Sequence, residues 1–101
     1  MKTFLDLVFE GNKKRSARLD LGNNIEISVI GGVGCYGNGE THFEIAFFYQ
    51  DKLVPLDLYD DVLGWQSPKE VSHHMELAQR DGVAWVRSLE AKREQVSYEY
   101  S

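Results

Sequence analysis

The stretch Ser67-Pro68-Lys69-Glu70-Val71-Ser72-His73-His74-Met75-Glu76-Leu77-Ala78 divides the sequence into two regimes. Ser67 is a good N-cap, Pro68 suits a first helical position, and Glu70 stands three residues after the cap, the spacing of a capping box. Val71, Met75 and Ala78 then fall on one helical stripe flanked by His74 and Leu77. Gly82 interrupts this pattern, and Trp85, Leu89 and Val96 resume it. A glycine inside a helix costs about 1 kcal/mol relative to alanine, so a break or kink is expected near Gly82.

Upstream of Ser67 the period is two, the signature of strands with one buried face. Leu5, Leu7 and Phe9 form one alternating set, and a polar turn at Gly11-Asn12-Lys13-Lys14 separates it from Ala17-Arg18-Leu19-Asp20-Leu21. Gly22-Asn23-Asn24 tolerates positive φ and predicts a tight hairpin into Ile25, Ile27 and Val29. Phe43 to Tyr49 is the most apolar strand and is expected at the centre of the sheet. Gln50-Asp51-Lys52 turns the chain into Leu53-Val54-Pro55-Leu56, where a proline without a donor belongs at an edge. The expected fold is α+β: one domain over 1–101, an antiparallel meander of four to five strands covered on one face by a C-terminal helix.

Composition narrows the function classes. With 101 residues, 43% hydrophobic and 12% aromatic, the chain can bury a core without staples. The lone cysteine, Cys35, excludes an internal disulfide and any Cys-x-x-Cys zinc pair. Asp6 and Glu10 interrupt the N-terminal apolar run before it attains the length of a signal-peptide core, and no 18-residue apolar run is present, so a cytoplasmic, membrane-free location is expected. The net charge of −5 sits in the middle third, where Lys52 stands alone against Glu40, Glu44, Asp51, Asp57, Asp60 and Asp61. Such a segment repels nucleic acid, and it reads either as an attractor of a basic protein surface or as a solvated face that keeps the protein soluble.

Candidate chemical motifs fail on their context. Gly32-Val33-Gly34-Cys35-Tyr36-Gly37 has the glycine spacing of a dinucleotide fingerprint, but a period-two strand follows where a helix N-terminus is required. The loop reads instead as a flexible or bulged strand connection. His73 and His74 diverge by about 100° on a helix and serve no common ion. Glu70 and His73 have the Glu-x-x-His spacing of a di-iron site without its second pair. Asp57, Asp60 and Asp61 lack the alternation and glycine of a calcium loop. Cys35 has no base placed by sequence to activate it; His42 is the nearest candidate. No catalytic group, metal or cofactor is therefore expected.

A protein-binding surface remains. Tyr36, Glu40, Asp57, Tyr59, Asp60 and Asp61 combine aromatic anchors with carboxylates that select a basic partner, and they are expected to cluster at one end of the sheet. Trp65, beside the same acidic region and two residues before the helix cap, is read either as a further aromatic of that surface or as a plug of the sheet–helix junction. A second reading is a homo-oligomeric adaptor, a homodimer for instance, joined through Trp85, Leu89 and Val96.

A larger pattern spans roughly residues 20 to 80. A strand with an Asn-Asn turn precedes Gly-Gly-x-Gly-Cys-Tyr-Gly, then Glu44-Ile45-Ala46, then Leu58-Tyr59-Asp60-Asp61-Val62-Leu63-Gly64-Trp65 and Ser67-Pro68-Lys69-Glu70-Val71. This order resembles a group of small phage and prophage proteins, with a Tyr-Gly loop before a Glu-x-Ala strand and an Asp-Val-x-Gly-aromatic turn before a Ser/Thr-x-Glu-Glu-Val helix start. The resemblance implies a non-enzymatic protein that inhibits a bacterial host-defence protein, as anti-CRISPR proteins do. The N-terminal strand pair and the tail from Trp85 to Ser101 lie outside it.

Overall fold

The computed structural model describes residues 1–99, with side chains through Val96. Five strands form one antiparallel sheet: β1 (Lys14–Gly22), β2 (Ile25–Gly32), β3 (Phe43–Tyr49), β4 (Lys52–Leu53) and β5 (Val62–Gln66). They are followed by α1 (Pro68–Asp81) and α2 (Val83–Glu99). Consecutive strands β1 to β4 pair as a meander, and β5 returns to share the β4 edge of β3. β3 is thus paired along both edges, the central place its apolar sequence predicts.

Both tight turns place residues at positive φ, a conformation that Asn and Asp tolerate better than other side chains. Asn23 and Asn24 sit at φ 55° and 63° between β1 and β2, and Gln50 and Asp51 at 50° and 64° between β3 and β4. Pairing along β2 and β3 sets Ile25, Ile27 and Val29 against Tyr49, Phe47 and Ile45. Period two then sends Ile25, Ile27, Val29, Phe43, Ile45 and Phe47 to one buried face.

That face is covered by Val71, Met75 and Ala78 of α1 and by Trp85 and Val86 of α2, all buried in the same core. The Trp85 and Phe47 rings meet edge-on, with centroids 4.9 Å apart. The α1 start has both halves of the capping box: Ser67 Oγ accepts from Glu70 N–H at 3.2 Å, and Glu70 Oε1 accepts from Ser67 N–H at 3.0 Å. α1 ends at Gly82, whose φ of +55° and ψ of −128° no helix continues, so the expected break is present.

Three sequence expectations are corrected. The first segment is not a strand: Phe4–Asp6 is a 3₁₀ turn capped by Thr3, whose N–H donates to Asp6 Oδ2 at 2.7 Å. Leu5 and Leu7, which a strand would put on one face, are 91% and 8% exposed. Phe4 and Phe9 instead stack on Phe43 and close one end of the core. The fifth strand is β5, a segment without alternation in the sequence because a bulge interrupts its pairing with β3 between Phe43 and Ile45. The strand expected over Leu53 to Leu56 is likewise short: Lys52 and Leu53 pair with β3, and only Val54 N–H, bonded to Phe47 O, extends the pairing.

Candidate functional site

The six residues predicted to bind a partner occupy three places rather than one patch. Asp57, Tyr59, Asp60 and Asp61 share the loop that leaves the β3 edge after β4 and rejoins it as β5. Tyr36 lies over the middle of β5: its carbonyl accepts from Trp65 N–H at 2.8 Å, and a Cβ added to Gly64 would stand 2.5 Å from Tyr36 Cβ. Glu40 belongs to the turn before β3, beyond the far end of β5, because Val62 pairs with Ala46 while Gln66 pairs with Phe43. The register of β5 therefore separates Glu40 from the aspartates by the length of that strand.

The aspartate loop is held from below. Arg93 of α2 donates to a carboxylate oxygen of Asp61 and to the backbone carbonyls of Asp57 and Asp60, the last at 2.7 Å. Asp57 N–H closes the turn on Asp60 O at 3.0 Å. Asp61 is thus half-buried and neutralised within the chain, and its charge is not on display. Tyr59 stands clear of the clamp at 75% exposed, and Asp57 and Asp60 are exposed as well. Sequence spacing has no means of pairing a C-terminal arginine with this loop.

The glycine-rich connection is tied down as well. Gly32 N–H donates to Gly37 O at 2.9 Å and Gly39 N–H to His42 O at 3.0 Å, while Asn38 Oδ1 accepts from the backbone of Glu40, Thr41 and His42. Glu44 Oε1 accepts from Tyr36 N–H at 2.8 Å and fixes the loop to the sheet. The connection, expected to be flexible or bulged, is closed by these hydrogen bonds. His42 Nδ1 lies 3.0 Å from Thr41 Oγ1, and Cys35 Sγ faces Val33 O at 3.8 Å.

Of the two roles expected for Trp65, the structure excludes one. It is no plug: it is 59% exposed and sits at the β5 bulge with φ +55°. Tyr36, bonded to it through the backbone, is 67% exposed. On the sheet face opposite the helices Ile30, Ala46, Phe48 and Val62 are half-buried, with Arg18 over the Phe48 ring. No sequence signal marks a left-handed tryptophan. The adaptor stripe is also redirected, since Trp85 is 7% exposed inside the protein's own core.

On α1, burial and then the neighbouring His73 push the His74 imidazole below its usual range, against an opposing pull from Glu70. The Ser67 N–H and then its hydroxyl hold the Glu70 carboxyl below its ordinary value. Among the described residues, no group of three or more His, Cys, Asp or Glu side chains converges to hold a metal ion, and no helix is long and apolar enough to cross a membrane. Comparison with known protein families, with curated proteins and with solved structures finds no match.

Proposed function

We propose that this chain is a non-enzymatic binding protein that engages and inhibits a bacterial host-defence protein through that protein's basic surface, in the manner of anti-CRISPR proteins. The reading draws its target from the phage-protein resemblance and its chemistry from one observation: Tyr59 and Tyr36 are both exposed large aromatics in the segment that carries the whole net charge. Aromatics anchor interfaces by burying area at low entropic cost, and surrounding carboxylates select basic partners and speed association. Bare nucleic acid is a poor ligand for a chain of net charge −5, since non-specific affinity comes from phosphate neutralisation.

Affinity capture from bacterial lysate, with and without nuclease, tests this reading. A discrete basic protein should be retained after nuclease treatment, and Asp60→Lys or Tyr59→Ala should reduce its retention. Retention that vanishes with nuclease, or no retained protein at all, would refute the proposal.

A further inference from the structure

Trp65 contradicts the economy of the rest of the fold. A bulky residue at φ +55° is an outlier, and a left-handed non-glycine residue costs of order 1–3 kcal/mol, which surrounding packing normally offsets. Here the ring is more than half exposed, so burial returns little of that cost. Glycine or asparagine would hold the same backbone with less strain. A tryptophan at this position is therefore unexplained by folding.

The other aromatics show what Trp65 and Tyr36 lack. Arg15 lies over the Phe9 ring at 5.0 Å, Arg18 over Phe48 at 4.9 Å and Arg87 over Tyr49 at 5.6 Å. Among the described residues no guanidinium covers Trp65 or Tyr36, and a carboxylate oxygen of Glu44 accepts from the Tyr36 N–H. Two exposed aromatics joined through the backbone, one of them hydrogen-bonded to a carboxylate, suit a cation that both stacks and pairs, and arginine does both better than lysine.

We infer that Trp65 and Tyr36 form the anchor of the interaction surface and that its occupant is an arginine side chain presented by a basic protein partner, stacked on the rings and paired with Glu44. The inference rests on the binding function proposed above and moves its centre from the Asp57–Asp61 loop to the β5 bulge.

Intrinsic fluorescence of the full chain tests it, because Trp85 is buried and Trp65 is the exposed emitter. The probes are nona-arginine and nona-lysine peptides at low ionic strength. Nona-arginine should perturb the emission and bind several-fold tighter than nona-lysine. Trp65→Asn and Tyr36→Ala, followed with labelled peptide, should each weaken nona-arginine binding about tenfold, and Trp65→Asn should melt at or above the parent temperature.

Unchanged peptide affinity in Trp65→Asn would overturn the inference, as would a lowered melting temperature, which would mean that packing holds the ring. Binding lost in Asp60→Lys and Tyr59→Ala but retained in Trp65→Asn would also overturn it, leaving the basic-partner reading standing on the loop. Failure of the parent chain to bind either peptide would remove both.

Discussion

At the residue scale, the same neighbours that make Trp65 possible make Gly64 indispensable. Its missing side chain is the space that Tyr36 Cβ occupies, 2.5 Å from where a new Cβ would stand and with the Tyr36 carbonyl 3.2 Å away. The Tyr36 backbone is bonded on both sides, to Glu44 and to Trp65, so it yields little. Gly64→Ala should therefore destabilise the chain by about 1–3 kcal/mol, the usual cost of overpacking, as read from a denaturant midpoint. A neutral result would show that the loop slides freely over β5. Asp61 teaches a complementary lesson. Its carboxylate read as display charge in the sequence, yet Arg93, 32 residues away, holds it.

At the element scale, two attachments carry α1 and α2. The capping box at Ser67 was legible because all of its parts lie within four consecutive residues. Ser67→Ala should cost about 1 kcal/mol, measured by thermal or chemical unfolding, through loss of the acceptor for Glu70 N–H. The second attachment is the reach of α2 to the aspartate loop. Arg93→Ala removes one ion pair and two bonds to backbone carbonyls, and its half-exposed setting keeps the expected loss to roughly 1–2 kcal/mol. Amide hydrogen exchange should accelerate across residues 57–61 while β2 and β3 keep their protection. Uniform acceleration would instead make Arg93 part of the global fold. β5 carries no sequence signal of a strand because its bulge sets it out of the alternation that marks the other long strands. The N-terminal segment misled in the opposite direction: it alternates, but the Thr3 cap and its bond with Asp6 wind it into a turn.

At the scale of the whole molecule, stability should depend on pH with a sign set by His74 and Glu70. The folded protein binds a proton at His74 less readily than the unfolded chain, whose value is near 6.5, because burial and His73 oppose the charge. Acidification therefore favours unfolding: the stability contributed by neutral His74 is complete above pH 6.5 and is lost as pH falls through the lower folded value. Glu70, held below 4.5 by Ser67, adds a loss of the same direction at more acid pH. The urea midpoint should fall between pH 7.5 and 5, and His74→Leu should flatten that fall; an unaltered slope would assign it to other groups.

What the sequence by itself determined is what local chemistry determines. The β1–β2 hairpin follows from Gly22-Asn23-Asn24, the central strand from the apolar run Phe43–Tyr49, the helix start from Ser67 to Glu70 and the helix break from Gly82. Each depends on neighbours within a few residues, where periodicity, turn preference and capping act. Tertiary structure alone decided that β5 pairs with β3, that Glu40 lies apart from the aspartates, that Arg93 neutralises Asp61, and that Trp65 faces solvent in a left-handed bulge. These outcomes come from contacts between residues distant in sequence, and from a sheet edge shared by two strands, which no local period encodes.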